Sequence, residues 1–348
     1  MATTTAARKT KTRPVTRDHS RSRIAESNIP ATMQAAAIDR FGGPEVLTLH
    51  TLPTPMPDPG EVLIAVDTAG VGVWDAEMRD GSLASSRKKF PLVLGTDGSG
   101  VIAAIGSGVR RFKLDDRVYS YAFENRKGGF YAEYVAVSAK MTAHIPKTLD
   151  LEHAGAIPTT GLTALQGIDD ALHLKKGETI IIHGSTGGVG SLAVQFAKLR
   201  EARVLATASG QDGMDFARRL GADMVMDGRH GDIVAAAREF APDGVDAVLG
   251  LAGGEALERC LDTLRPGGRL AYPNGIDPEP KKRPKMHVIP YDAVPGVHEF
   301  DHLGRAVEAA KLQVPIAAAY PLADAAKAHE RLAAGHVLGK IVLRTHQT

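Results

Sequence analysis

A run of glycines carries the clearest chemistry in this chain of 348 residues. Gly184-Ser185-Thr186-Gly187-Gly188-Val189-Gly190 follows Thr179-Ile180-Ile181-Ile182-His183, which reads as a buried strand. It precedes Ser191 to Lys198, which reads as a helix. A glycine-rich turn in that place lets the backbone approach a pyrophosphate, whose charge rests on the unpaired N–H groups of the helix N-terminus. The spacing is G-x-x-G-x-x-G, not the commoner G-x-G-x-x-G, but strand, turn, helix and second strand stand in the order the chemistry needs. Dinucleotide binding is therefore expected.

The end of the second strand, about 20 residues on, reads which dinucleotide. Arg203-Val204-Leu205-Ala206-Thr207-Ala208 runs into Ser209-Gly210-Gln211, with no acid to accept from ribose hydroxyls. A carboxylate there would repel a 2′-phosphate, and its absence leaves room for one. Ser209 can donate a hydroxyl, and Arg218 and Arg219 are the nearest cations in sequence. NADPH is favoured over NADH.

These residues need a scaffold. From Ala35 onward, short β-like runs (Met33–Asp39, Glu61–Ala69, Val101–Ile105, Arg117–Ala122, Ala132–Ala136) are separated by proline and glycine, the pattern of an antiparallel, barrel-like domain. After about residue 155, helical stretches (Gly190–Glu201, Gly213–Leu220, Asp232–Phe240, Glu255–Leu264) alternate with apolar strands (Glu178–His183, Arg203–Ala208, Asp223–Asp227, Val245–Leu251, Arg269–Pro273). That alternation predicts a parallel, doubly wound sheet. The last segment, helix Asp301–Leu312, strand Ile316–Tyr320, helix Ala323–Ala334 and strand Lys340–Arg344, is too short for a third domain and is expected to complete the first. The proline-rich stretch Asp277 to Lys285 reads as a solvated loop.

Composition sets the limits. Residues 1–30 hold 7 Lys/Arg against 2 acids, and the remainder 35 against 38. A basic tail too poor in large apolar residues to order itself precedes a mildly acidic body with no nucleic-acid footprint. No apolar run spans a bilayer, so a soluble, cytoplasmic protein is expected; the tail's composition also suits an organellar transit peptide. The single cysteine, Cys260, excludes an internal disulfide and a four-thiolate zinc site.

From about Met33 to Arg344 the chain resembles the zinc-independent quinone oxidoreductase branch of the medium-chain dehydrogenase/reductases. The resemblance rests on Ala69-Gly70-Val71 with Asp75, Arg79 and Gly81; Gly95-Thr96-Asp97-Gly98-Ser99-Gly100; Asp116-Arg117-Val118; and Ala132-Glu133-Tyr134. It continues through Pro158 to Ala164, the glycine run, Leu220-Gly221-Ala222-Asp223, Leu264 to Gly268, and Gly339-Lys340-Ile341-Val342-Leu343. It implies an α/β chain in two parts: a GroES-like antiparallel barrel domain (31–154, completed by 298–348) and a Rossmann domain (155–297) that binds NADP. Zinc-dependent relatives need a thiolate just after Ala-Gly-Val and a His-Glu pair where this chain has Thr96-Asp97; Gly72-Val73-Trp74-Asp75 supplies no thiolate, so no catalytic zinc is expected. Relatives commonly carry Asn at the place of Gly72, and a lysine and a tyrosine for the 2′-phosphate where this chain has Gly213 and Gly228. Ser209, Arg218 and Arg229 remain as substitutes.

The implied reaction is hydride delivery from NADPH to a quinone or an α,β-unsaturated carbonyl, with the protein supplying orientation and electrostatics. Trp74, Tyr121 and Tyr131 are the candidate catalytic residues: an aromatic wall for a planar acceptor and two phenolic donors. Asp75 and Arg79 read as a pair fixing a loop. The cofactor-binding residues are expected to include Thr160 at the nicotinamide amide, Ala252, Asn274 and Gly275 at strand ends where ligands gather, and Lys340, which resembles the family's terminal Gly-Lys. The alternatives are an enoyl thioester reductase of the same architecture and a cofactor-binding protein without turnover, like lens crystallins of this family. Relatives imply a homo-oligomer, a dimer or tetramer, paired through the Rossmann sheet edge.

Overall fold

The computed structural model describes residues 29–83 and 89–345. The tail expected over residues 1–30 lies, as far as residue 28, outside the described residues.

The first part runs β1 (Thr32–Ile38), β2 (Thr48–Pro53), β3 (Glu61–Val71), α1 (Val73–Asp80), β4 (Leu92–Val93), β5 (Asp97–Ile105), β6 (Arg117–Tyr121), β7 (Tyr134–Ser138) and β8 (Thr142–His144). Two short helices, α2 (Leu151–Gly155) and α3 (Pro158–Gln166), lead into the second part. There β9 (Thr179–His183), α4 (Gly188–Leu199), β10 (Arg203–Ala208), α5 (Gly210–Arg219), β11 (Met224–Asp227), α6 (Ile233–Phe240), β12 (Val245–Gly250), α7 (Glu255–Leu261), β13 (Leu264–Pro273) and β14 (His287–Tyr291) follow. The chain ends with α8 (Val297–Ala310), β15 (Ile316–Pro321), α9 (Ala325–Ala333) and β16 (Lys340–Arg344).

The second part is a six-stranded parallel sheet in the order β11-β10-β9-β12-β13-β14, the expected doubly wound arrangement. Ile180, Ile181 and Ile182 of central β9 are fully buried. A strand covered on both faces reads as a continuous apolar run, each fully buried isoleucine contributing roughly 1.5–3 kcal/mol. The first part is a seven-stranded, mainly antiparallel sheet, β15-β16-β3-β5-β6-β8 with β7 on β3, and a smaller sheet β2-β1-β4. β16 pairs with β3, Val342 opposite Gly70, and β15 pairs with β16, so both C-terminal strands lie in this sheet. α8 instead buries Phe300 and Leu303 in the core shared with α3 and α4, so the return crossing follows it, near residues 311–315.

The sequence reading missed β2, β4, β8 and β14, all short or beside prolines. The segment 277–285 is a loop, as expected, but anchored: Arg283 reaches Glu258 at 2.7 Å and Asp262 at 3.0 Å.

Candidate active site

The glycine run connects β9 to α4 as a cradle. Gly184 has φ +81°, a left-handed conformation that glycine adopts freely. A Cβ at Gly190 would lie 2.2 Å from the Gly184 carbonyl oxygen, so the loop closes only without a side chain there. α4 starts at Gly188 with Gly187 as its N-cap and no side chain capping it. The N–H groups of Gly188, Val189 and Gly190 therefore lack intrahelical partners and form the positive end of the helix dipole, which suits a pyrophosphate. A Cβ at Gly187 would have only the Gly184 oxygen within reach, at 4.0 Å, so the space above it is open. The residues present fit a dinucleotide.

Not every residue of the run faces that space. Ser185 is fully buried, and both its N–H (3.2 Å) and its hydroxyl (2.8 Å) donate to the Thr207 carbonyl; it ties β9 to β10 and corrects its expected place among the ligands. The Thr186 carbonyl accepts from Gly339 N–H at 2.8 Å, joining the cradle to the start of β16. Ala252 lies beside Gly184. Thr160 donates its hydroxyl to the Ala156 carbonyl at 2.9 Å, which leaves its lone pairs free to accept from an amide.

At the end of β10, Ser209 is the N-cap of α5, and among the described residues its hydroxyl makes no capping hydrogen bond. Gly228 N–H donates to the Ala208 carbonyl at 2.7 Å, placing Arg229 beside Ser209, with an exposed side chain. Arg218 is not brought there. It sits in the last turn of α5, about 12 Å of helix beyond Gly210, and pairs with Asp215 at 2.6 Å. Sequence proximity misled because a helix leads away from the strand end. The sequence reading also missed His336, which lies over the N-terminus of α5: it holds Asp212 at 2.8 Å, and a Cβ at Gly213 would lie 3.8 Å from its ring. Nothing in the local sequence links residues 212 and 336.

The wall facing the cradle comes from the first part. Trp74, half-buried in the first turn of α1, stacks so tightly on Gly72 that a Cβ there would lie 2.2 Å from the indole. The ammonium of Lys340 sits 4.8 Å from the centre of its ring. The face expected to receive a planar acceptor thus already carries a cation. Among the described residues, the buried indole N–H has no partner, nor does Oδ1 of Asp97, whose Oδ2 accepts from Thr159 N–H at 2.8 Å. Tyr121 pairs in register with Asp97; burial, then the charges of Asp97, Asp292 and Asp75, push its phenol up to about 12. Asn274 donates to Asp292 at 2.7 Å, so its amide is engaged, and Gly275, φ +89°, borders open space.

Tyr131 is not in the cleft. It is fully buried, its hydroxyl 3.3 Å from Asp75 Oδ2 and 3.1 Å from His329 Nε2. Arg79 Nη1 lies 3.0 Å from His329 Nδ1, and because guanidinium only donates, Nδ1 accepts and Nε2 carries the proton. Burial, then Arg79, depress His329 to about 4, so it is neutral. The chain of donation runs from Arg79 through His329 and Tyr131 to Asp75, which also accepts from Thr96 Oγ1 and Gly72 N–H, each at 2.8 Å. Asp75 and Arg79 are joined through two intermediaries, His329 and Tyr131, and not as the expected direct pair. Burial, then Asp97, raises the Asp75 carboxyl to about 6.

Among the described residues, no group of three or more His, Cys, Asp or Glu side chains could hold a metal ion, and no helix is long and apolar enough to cross a membrane. Cys260 is buried in α7, 4.0 Å from His183, its thiol pushed up to about 12 by burial.

Comparison with known proteins agrees with this architecture. Residues 58–147 match the alcohol dehydrogenase GroES-like domain, and residues 220–343 match the family described as zinc-binding dehydrogenase. A quinone oxidoreductase of Lama guanicoe is 30% identical over 325 residues, 89% of this chain and 97% of that protein. Among solved structures, a mycobacterial protein complexed with NADPH is 29% identical with a TM-score of 0.80, covering 90% of this chain and all of that one. An NAD-dependent alcohol dehydrogenase is 31% identical with a TM-score of 0.83 over the same shares. With the uncapped cradle of a nicotinamide cofactor and both domains in place, this chain belongs to the medium-chain dehydrogenase/reductase superfamily, in its quinone oxidoreductase-like branch.

Proposed function

We propose that this oxidoreductase uses NADPH, without zinc, to reduce quinones or activated alkenes. The observation that carries the reading is the junction at Gly188, where a Cβ would lie 3.2 Å from Thr160 and 3.3 Å from Lys340, so that the phosphate cradle and the cleft wall meet at one point. When bound there, the reduced nicotinamide supplies the hydride. The cradle N–H groups hold the pyrophosphate, and Thr160 accepts from the carboxamide. Tyr121, kept protonated at neutral pH, offers a hydrogen bond to the acceptor.

Position 2′ of the ribose is read by Ser209 and Arg229, which favours NADPH. The three carboxylates around Tyr121 favour an uncharged acceptor over the phosphate-bearing arm of an enoyl thioester. The same reading expects subunits to pair through the outer edge of β14. The test is to follow the nicotinamide absorbance with NADPH and, in turn, para-benzoquinone, an α,β-unsaturated ketone and crotonyl thioester. Turnover with the first two is expected. Tight NADPH binding with no turnover on any acceptor would replace the reductase reading by that of a binding protein.

A further inference from the structure

We propose that Lys340 is the acid that neutralises the acceptor oxygen during reduction, and that Trp74 and Asp97 position it. This goes beyond cofactor binding and rests on the reductase reading above. Lys340 is only 5% exposed, yet among the described residues its ammonium makes no hydrogen bond or ion pair; it lies over the Trp74 ring, and its charge also acts on the Asp75 carboxylate. The side chain starts at the cradle, where its Cδ and the Thr160 methyl flank Gly188. It ends at the cleft wall, where a Cβ at Gly70 would lie 3.0 Å from its Cε and 2.5 Å from Asp97 Oδ1. Gly70 thus leaves the gap through which lysine and carboxylate approach.

That carboxylate oxygen is buried and unpartnered. A cation and an anion lie side by side without bonding because the indole holds the ammonium on its face. The N–H donors of Lys340 are therefore free for a third group. A buried charge with unused donors, midway between the cradle and the cleft wall, is arranged for charge that develops there. Burial, then the three nearby carboxylates, oppose loss of the Tyr121 proton.

In the step, hydride leaves the reduced nicotinamide for the acceptor, oxidising the one and reducing the other by two electrons. The negative charge collects on the quinone oxygen or on the carbonyl oxygen conjugated to the alkene. One Nζ–H bond of Lys340 breaks as an O–H bond forms, giving hydroquinone or an enol that becomes the saturated carbonyl. Water then reprotonates the amine.

The test compares wild type, Lys340→Met and Lys340→Arg in single turnover at saturating NADPH, with NADPH affinity measured by calorimetry. Both variants should keep NADPH affinity and lose the chemical rate by about 10²–10⁴-fold, the arginine variant too, because guanidinium keeps its proton. Arginine also guards against a methionine variant that fails to fold. Methylammonium should restore part of the rate to Lys340→Ala. Trp74→Leu should slow the step by about tenfold, Trp74→Phe should largely retain it, and Trp74→Leu should add nothing in the Lys340→Met background. An unchanged rate in the Lys340 variants, or a loss confined to NADPH affinity, would overturn the proposal while leaving the reductase reading intact. A wild type inactive with every acceptor would overturn both.

Discussion

Gly72 lies beneath the Trp74 indole so closely that no side chain can stand at residue 72 while the ring keeps its place: a Cβ would meet Cε2 at 2.2 Å and Nε1 at 2.7 Å. The asparagine that relatives commonly carry there and this tryptophan exclude each other. Gly72→Asn alone should cost about 1–3 kcal/mol and shift the emission of the only tryptophan, whereas Gly72→Asn with Trp74→Ala should recover most of the loss. Chemical denaturation and fluorescence read both, and additive effects would contradict the exclusion.

The cradle glycines should separate by role. At Gly190 a methyl would strike the Gly184 carbonyl oxygen and, at 2.7 Å, the Ser185 Cα, so Gly190→Ala should lower stability by about 1–3 kcal/mol and abolish cofactor binding together. At Gly187, φ −74°, alanine meets no strain and fills only the open space of the cradle. Gly187→Ala should melt like wild type yet bind NADPH and NADH at least tenfold more weakly. Thermal melts beside cofactor titration check the contrast, and a Gly187→Ala protein with full affinity would place the pyrophosphate elsewhere.

The choice of cofactor should follow the end of β10 and not the end of α5. Arg229→Ala and Ser209→Ala are expected to weaken NADPH about tenfold and leave NADH unaffected, as loss of a charged hydrogen bond of about 1.5–3 kcal/mol requires. Arg218→Ala, which breaks only an exposed pair with Asp215, should change neither dissociation constant. His336→Ala removes the partner of Asp212 and leaves that carboxylate unpaired at the N-terminus of α5, so NADPH should suffer more than NADH.

Two tyrosines considered together in the sequence should behave differently. Tyr131→Phe removes the hydroxyl between His329 and Asp75, leaving the buried His329 Nε2–H unpaired at a cost of about 1–3 kcal/mol in stability, with the chemical rate largely kept. Tyr121→Phe should leave stability nearly unchanged and slow turnover. Measuring denaturation and kcat on the same preparations distinguishes them, and a rate loss in Tyr131→Phe without destabilisation would return that residue to the cleft.

Asp75 makes stability depend on pH. Its carboxyl is raised from 3.8 to about 6, so between these values the native state binds more protons than the unfolded chain. The contribution is fully present below about pH 3.8, falls as pH rises to about 6, and is flat above; its size is at most on the order of 3 kcal/mol. Asp75→Asn should flatten that part of the stability profile. An unchanged slope between pH 4 and 6 would assign it to other groups.

The sequence by itself determined the two-part architecture, the glycine cradle and the lack of a thiolate after Ala-Gly-Val, because each is written locally. Period-two and period-3.6 patterns persist over whole elements, the glycines are contiguous, and the missing ligands would stand at fixed offsets from Ala-Gly-Val and Gly95. Where side chains point was decided only by the tertiary structure. Ser185 turns inward onto Thr207, Tyr131 into a buried chain of donors, and Arg218 away along a helix. Lys340 meets Trp74 across 266 positions because β16 returns to pair with β3 and bond to the cradle. Such contacts depend on strand order and register, and no local pattern of residue types records either.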